Sequence, residues 1–181
     1  MLIKEWRKFK GWLVLEFFLR FDEEIHVKKL ARELKISPLT ASYYLKFYKN
    51  NKILKETKKG NLLLYSLQDN FLVRQLKRLY ALDLLSEFVE RFGKKNRITS
   101  LVLYGSHASG TYDKKSDIDL LVISQQKKLD LSEVKRLERE IGKEVKIQVF
   151  SIGEWKRLKK GKSNFIKSLL SNYILLYGAE I

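Results

Sequence analysis

The chain has 181 residues, enough for one medium domain or two small ones, and 45% of them are apolar, enough for a core. It contains no cysteine, which excludes disulfides and thiolate zinc sites, and its early apolar run, residues 12–21, is too short and too charged to span a bilayer. The net charge of +16 favours an anionic partner such as nucleic acid. We therefore expect a cytoplasmic protein that does not enter a membrane.

The positive charge is concentrated toward the N-terminus. Residues 1–60 hold 15 basic and 7 acidic side chains, a net +8, whereas residues 98–181 hold 15 and 10, a net +5. A Lys-rich and Glu-rich surface of the heat-adapted kind would mix the two signs more evenly. The imbalance favours nucleic-acid contact by the N-terminal part.

The first 68 residues predict an alternation of helices and short strands. The predicted order is helix, strand, helix, helix and a two-stranded hairpin, over residues 6–21, 24–27, 30–35, 38–49 and 53–67. Ser37 is the expected N-cap of the third helix and Pro38 its first residue. The basic turn at Gly60-Asn61 joins the two strands of the hairpin.

The third helix has two separate faces. Its core-facing residues, at helical spacing, are Ala41, Tyr44, Leu45 and Tyr48. The opposite face is short and polar, with one aromatic ring and one cation, as a helix entering a DNA major groove requires. That face comprises Leu39, Ser42, Tyr43 and Lys46.

This order of elements, together with the stretch from Leu30 to Leu45, resembles a winged helix-turn-helix domain of the archaeal and bacterial regulator type. The resemblance implies DNA as a partner, with helix residues reading bases and hairpin lysines contacting phosphates. The candidate DNA-binding residues are Leu39, Thr40, Ser42, Tyr43, Lys46, Lys58 and Lys59, with Lys52 and Lys55 as further phosphate contacts. The alternative is a small α/β unit that contacts protein instead.

A long helical stretch is predicted next, from Asn70 to Phe92, and the segment Gly93-Lys94-Lys95-Asn96 is expected to end it. Its apolar residues exceed a single stripe, so it needs burial on more than one side, against both flanking domains or against a second copy in a homodimer. The predicted organisation is a winged helix over 1–68, a linking helix over 69–96 and a second domain over 97–181.

The second domain is predicted to be a small α/β unit. Strands are expected over 97–104, 117–124, 144–150 and 173–177. Asp130 and Glu133 match a capping pair for a helix that ends at Gly142, Ser151 and Glu154 match a capping box, and a last helix covers 163–171.

One segment of this domain has the residues for chemistry on phosphates. Gly105 and Ser106 form a small-residue turn after an apolar strand, where backbone N–H groups can approach a phosphate. Asp117 and Asp119 begin the next strand and point to one side of it, with Cα atoms about 7 Å apart. A divalent cation would relieve the repulsion between these two carboxylates.

The turn, the ten-residue spacer and the carboxylate pair resemble the DNA polymerase beta-like nucleotidyltransferase superfamily, and within it the minimal nucleotidyltransferases. The implied fold is α+β, a mixed sheet with flanking helices. The implied reaction transfers a nucleoside monophosphate from a nucleoside triphosphate to an acceptor. Gly105, Ser106 and Ser116 would bind the nucleotide, and Asp117 and Asp119 would be the catalytic residues and the ligands of Mg²⁺ or Mn²⁺.

The sequence departs from this family at a third carboxylate, which is expected on the later strand. The matching position is interpreted as Gln148, a weak ligand and a poor base, and Glu144 lies about 13 Å along the strand from it. Losing a general base commonly costs about 10² to 10⁴ in rate. Both a slow enzyme and a DNA-binding regulator with an inactive, nucleotide-binding or partner-binding domain are therefore expected alternatives.

The remaining expectations concern the two histidines and a protein partner. His107, next to the turn, is expected either to contact a phosphate or to lie on the surface without a role. His26 is expected to be structural. Minimal nucleotidyltransferases often act with a small helical partner in toxin and antitoxin pairs, so the resemblance also implies a protein partner of that kind.

Overall fold

The computed structural model describes residues 5, 6, 8–126, 128–161 and 163–181. The chain is a mixed α+β protein that divides into two compact units, Met1–Asp83 and Leu84–Ile181. The division falls within a long helix, so the two halves of the predicted linking segment belong to different units. None of the described helices is both long and apolar enough to cross a membrane.

The N-terminal unit contains the predicted elements in the predicted order. The sheet is antiparallel, in the order β1-β3-β2. Arg7, within the predicted first helix, lies outside the described residues. The elements are α1 (Lys10–Phe21), β1 (Ile25–His26), α2 (Val27–Glu33), α3 (Pro38–Asn50), β2 (Leu54–Lys59) and β3 (Leu62–Leu67).

Helix α3 begins where its cap predicts. The Ser37 hydroxyl accepts a hydrogen bond from the Thr40 N–H at 3.0 Å. On the core face Ala41, Leu45 and Tyr48 are buried, and the Tyr48 hydroxyl donates to the Gly11 carbonyl of α1 at 2.7 Å. Burial of this face anchors α3 and leaves its other face toward solvent.

Helix α4 covers Phe71–Asn96 and so ends at the last residue of the segment predicted to end it. Gly93 itself continues the helix and has a packing role. A Cβ at Gly93 would lie 3.0 Å from ring carbons of Tyr177. The helix ends at Asn96, whose side-chain amide donates to the Asp130 carbonyl and accepts from the Asp130 N–H.

The C-terminal unit is built on a four-stranded sheet in the order β6-β5-β4-β7. Strands β5 and β6 are parallel, and the other two pairs are antiparallel. The mixed sheet with flanking helices confirms the predicted architecture of this part. Its elements are β4 (Ser100–Tyr104), α5 (Gly105–Ser109), β5 (Ile118–Ile123), α6 (Ser132–Ile141), β6 (Val145–Phe150), α7 (Ile152–Gly161), α8 (Asn164–Ser171) and β7 (Ile174–Gly178).

One of the two predicted caps in this unit is confirmed. Ser151 and Glu154 exchange backbone-to-side-chain hydrogen bonds at the start of α7. Of the predicted capping pair Asp130 and Glu133, only Asp130 caps the helix start: its Oδ1 accepts from the Ser132 N–H at 2.8 Å while it also binds Lys95, whereas Glu133 binds Arg91. Both acids therefore tie α6 and its entry to α4. Behind the sheet, α7 and α8 complete a core cluster of Val102, Tyr104, Leu121, Ile123, Trp155, Ile166 and Leu169.

Gly178 offers a test of how β7 closes the sheet. It has φ +83°, and a Cβ would lie 2.0 Å from the Thr99 carbonyl oxygen of the neighbouring backbone. Gly178→Ala is expected to lower the free energy of unfolding of the C-terminal unit by about 3 kcal/mol or more, from left-handed strain plus the clash. Chemical denaturation followed by circular dichroism measures this change.

Gly142→Ala is the matched control. Gly142 has a similar φ of +68° but no atom within 4 Å of the added Cβ. Only the strain remains, so the loss should be roughly 1 to 2 kcal/mol. Equal losses in the two variants would contradict the close packing of β7 against β4.

Candidate functional site

The predicted carboxylate pair lies at the start of β5. Asp117 directly precedes the strand, Asp119 is its second residue, and Tyr104 at the end of β4 is the ladder partner of Asp119. Both carboxylates are partly buried. Burial raises the pKa of Asp119 above its ordinary value, which the nearby Lys146 opposes and the charge of Asp117 reinforces. Asp119 is therefore partly desolvated and more basic than an ordinary aspartate.

The Gly105 turn lies directly against Asp119. Gly105 has φ +69°, and a Cβ on it would lie 2.5 Å from Oδ2 of Asp119. Both the backbone conformation and the space demand glycine at this position. The structure thus brings together two of the residues that the sequence singled out, the turn and the second aspartate.

A pocket of about 480 Å³ opens beside this turn. Tyr104 and Phe165 contribute two aromatic rings in an edge-to-face arrangement, with centroids 6.1 Å apart. The rest of the lining is rich in hydroxyl and amide groups. The polar lining residues are Ser106, Ser109, Thr111, Ser168, Ser171 and Asn172. A ligand with several hydrogen-bonding groups and one flat apolar part would suit this lining.

Ser116, the third candidate for nucleotide binding, is engaged within its own loop. Its hydroxyl donates to Oδ1 of Asp113 at 2.8 Å and accepts from the Asp113 N–H at 2.9 Å. It is not among the lining residues of the pocket beside Ser106. Its described role is to shape the loop that leads into Asp117.

Lys143 holds the same loop from the other side. Its ammonium donates to the carbonyl oxygens of Asp113, Lys114 and Ser116 at 3.1, 2.9 and 3.1 Å. Burial lowers the pKa of Lys143, while Asp113 and Asp117 oppose that fall. Sequence reasoning missed this residue, because its partners are backbone carbonyls that leave no side-chain signal.

Lys146, and not Gln148, is the neighbour of Asp119 on the later strand. The parallel ladder pairs Asp119 with Lys146, and it pairs Leu121 with Gln148. The choice of Gln148 as the position matching a third carboxylate is therefore wrong by two residues. Lys146 Nζ lies 2.6 Å from Oδ2 of Asp117, and this hydrogen bond raises the pKa of Lys146.

The carboxylate pair, as placed, does not fit a divalent cation. One oxygen of Asp117 is already bound to an ammonium, which brings positive charge to the position a metal ion would share. Within residues 5, 6, 8–126, 128–161 and 163–181, no three or more His, Cys, Asp or Glu side chains group where they could hold a metal ion. The predicted Mg²⁺ or Mn²⁺ thus lacks a ready ligand set at Asp117 and Asp119.

The two histidines have structural positions. His107 is buried and stacks on Tyr112, with ring centroids 4.2 Å apart and planes inclined by 8°. Both expectations for His107, a phosphate contact and a surface position, are therefore wrong. His26 caps α2 by accepting from the Lys29 N–H, which confirms a structural role.

The outer face of α3 is exposed and more apolar than predicted. Leu39 is 82% exposed, Tyr43 63% and Phe47 48%. Phe47 was missed by the sequence analysis, although its spacing of four from Tyr43 places it on the same stripe. Lys46 is also exposed. These side chains form a continuous surface, which we call the α3 stripe: Leu39, Tyr43, Lys46 and Phe47.

Some of the other candidate DNA-binding residues already form contacts within the protein. The Thr40 hydroxyl is 2.8 Å from that of Ser37 within the cap, and Ser42 is half-buried. At the end of β2 Lys59 forms an ion pair with Glu24, whereas Lys58 is exposed and forms no ion pair within the described part of the chain. Lys52 and Lys55 are exposed and unpaired in the same described part of the chain, so Lys59 is the one of these four lysines with a competing carboxylate.

Comparison with known proteins identifies a family for the part of the chain that contains this site. Residues 85–176 match the family model described as a nucleotidyltransferase domain. No curated protein matches the chain significantly. Two solved structures are similar at a TM-score of 0.37. One is of a candidate nucleotidyltransferase from Sulfolobus solfataricus, at 21% identity over 61% of this chain and 92% of that one. The other is of a toxin-antitoxin with AMP-PNP, at 15% identity over 52% and 74%.

The matched segment contains the Gly105 turn, both aspartates, the strands that carry them, all of α8 and most of β7. It amounts to more than half of the 181 residues. The chain belongs to the nucleotidyltransferase domain family.

Proposed function

We propose that the C-terminal unit binds a nucleoside triphosphate beside Gly105 and Asp119, and that the N-terminal unit is a winged helix-turn-helix domain that binds DNA. The observation that carries the nucleotide part is the close approach of the Gly105 turn to Asp119 beside the hydroxyl-lined pocket. The absence of a side chain at Gly105 leaves its backbone accessible to a phosphate.

The pocket suits the sugar and base of a nucleotide. Its volume of about 480 Å³ falls within the usual range of small-molecule sites. The hydroxyls of Ser106, Ser109 and Ser168 can bond a ribose, and the rings of Tyr104 and Phe165 can pack against a base. The phosphates would then extend toward the turn and the carboxylates.

Gly105→Ala tests this placement. The new methyl group would collide with Oδ2 of Asp119 in a backbone conformation unfavourable to alanine. We expect the affinity for a nonhydrolysable ATP analogue, measured by calorimetry, to fall by about tenfold or more.

Gly153→Ala, in α7, controls for the glycine replacement, because its added Cβ would meet no atom within 4 Å. Its affinity should equal that of the wild type. Thermal unfolding of both variants separates a local effect from loss of the fold. Unchanged binding in a folded Gly105→Ala protein would contradict the proposed site.

Transfer of a nucleoside monophosphate is a second candidate function, favoured by the retained pair Asp117 and Asp119. Nucleotidyltransferase domains generally use a nucleoside triphosphate and divalent metals. In such a transfer the acceptor oxygen bonds to the α-phosphorus, pyrophosphate leaves, and the acceptor loses its proton. Asp119, whose pKa burial raises, can accept that proton. The ladder partner of Asp119 on β6 is Lys146 and not a third carboxylate, so we expect the transfer to be slower than in an enzyme with that additional base by roughly 10² to 10⁴.

Transfer is tested with α-labelled nucleoside triphosphates and an extract of the source cells, with Mg²⁺ or Mn²⁺. Asp119→Asn should reduce any transferred label by at least about a hundredfold, because it removes the basic carboxylate. Asp69→Asn, which removes an exposed carboxylate of the N-terminal unit, should change nothing. Absence of label with the wild type would exclude transfer and leave a nucleotide-binding regulator.

The N-terminal unit supports DNA binding through the α3 stripe and the hairpin. The stripe combines an aromatic ring, a cation and apolar groups that can contact thymine methyls. The stripe remains exposed because α3 packs on the core through its opposite face, which contains Ala41, Leu45 and Tyr48. A helix presented in this way, followed by a basic hairpin, is the arrangement a winged helix uses on a duplex.

Lys58 and Lys59 provide a matched test on one hairpin. Lys58→Ala should weaken duplex binding and reduce the slope of log K against log salt by about one, because one phosphate contact is lost. Lys59→Ala should have a smaller effect, because Glu24 already pairs with Lys59. Fluorescence anisotropy over a salt series measures both. A duplex affinity that changes neither with salt concentration nor with either substitution would contradict the proposal.

A homodimer, a small helical partner and a cytoplasmic location stay predictions. The dimer has one supporting observation in the N-terminal unit. Phe71, Leu72 and Leu79, on the first turns of α4, are 79%, 49% and 47% exposed. An exposed apolar surface of this kind favours contact with another protein chain.

A further inference from the structure

Lys146 places a positive charge inside the carboxylate pair. It is the ladder partner of Asp119 and its Nζ lies 2.6 Å from Oδ2 of Asp117. It belongs to β6, an edge strand, and its side chain remains 54% exposed. The two carboxylates and this ammonium together carry a formal charge of −1.

We propose that the Lys146 ammonium takes the place of a divalent cation at Asp117 and Asp119, so that this site binds a nucleoside triphosphate in its metal-free form. The inference rests on the proposed nucleotide site. A triphosphate and two carboxylates repel one another, and a cation must lie between them for all to be accommodated. Lys146 provides that positive charge from the protein itself.

The same charge disfavours a metal ion. A divalent cation bound between the carboxylates would lie within a few ångströms of the ammonium, and like charges at that distance repel each other strongly. The site therefore selects against the cation that a bare carboxylate pair would attract.

Lys146 is able to exchange partners. An ion pair as exposed as this one contributes little to stability, so leaving Asp117 for a phosphate oxygen costs little. The flexible stem of lysine gives the ammonium reach. Lys143, whose charge also interacts with Asp117, does not share this freedom, because three backbone carbonyls hold it.

The first experiment measures the cation preference without nucleotide. Mn²⁺ binding is followed by electron paramagnetic resonance in the wild type and in Lys146→Met, which keeps the chain length and removes the charge. We expect Lys146→Met to bind Mn²⁺ about tenfold more tightly or better.

Gln148→Met is the control on the same strand. Gln148 is also exposed and lies beside Leu121, two ladder positions beyond Asp119, so the Mn²⁺ affinity of Gln148→Met should match that of the wild type. Far-UV circular dichroism confirms that each variant is folded. Equal Mn²⁺ affinities in the wild type and Lys146→Met would overturn the inference.

The second experiment measures binding of a fluorescent ATP analogue in EDTA and in Mg²⁺. The wild type should bind at least as tightly in EDTA as in Mg²⁺. Lys146→Met should lose about tenfold or more in EDTA and recover in Mg²⁺, and Lys146→Arg should retain binding in EDTA. A wild type that gains tenfold on adding Mg²⁺ would overturn the metal-free site.

The two experiments distinguish failure of this inference from failure of the proposed function. A wild type that binds no analogue in either buffer overturns the nucleotide site, and with it the triphosphate part of the inference. The Mn²⁺ comparison still decides whether Lys146 excludes a divalent cation, because it uses no nucleotide.

Discussion

The pairing of β5 with its two neighbours is the constraint on which the candidate nucleotide site depends. The antiparallel ladder places Tyr104 opposite Asp119 and so brings Gly105 against that carboxylate, and the parallel ladder places Lys146 on its other side. A slip of one residue in either ladder would turn one of these groups to the opposite face of the sheet. The buried stretch Leu120–Ile123 of β5 opposes such a slip, because it fills the sheet on both faces.

Two lysines with different environments then set the electrostatics of this site. Lys143 is committed to three backbone carbonyls and fixes the loop before Asp117, whereas Lys146 is exposed and bonds a carboxylate that is itself part of the candidate site. Lys143 therefore affects the geometry of the site, and Lys146 affects its charge. Burial makes Asp119 reluctant to ionise, and Lys146 offsets part of that cost without the large desolvation that a buried ammonium would suffer.

Signals that are local in sequence predicted local structure well. Ser37 with Pro38, the Ser151–Glu154 capping box and Gly142 each mark a helix end that the structure has. The Gly105 turn and the two aspartates were found because their spacing lies within one strand-turn-strand segment. What failed depends on distant partners. His107 stacks on Tyr112, and the choice between Gln148 and Lys146 needs the register between two strands, which alternation within one strand does not give.

The net charge of the N-terminal part overstates its capacity for phosphate contacts. Lys49 and Lys59 are paired with Glu56 and Glu24, so these cations are already partly neutralised. The exposed face of α3, by contrast, holds large apolar side chains that gain nothing from phosphates and are unfavourable in water. A surface of this composition gains more from base edges and thymine methyls in a groove than from the backbone of the duplex. Under the proposed DNA binding, we therefore expect α3 to recognise particular DNA sequences and the hairpin to act as a secondary anchor.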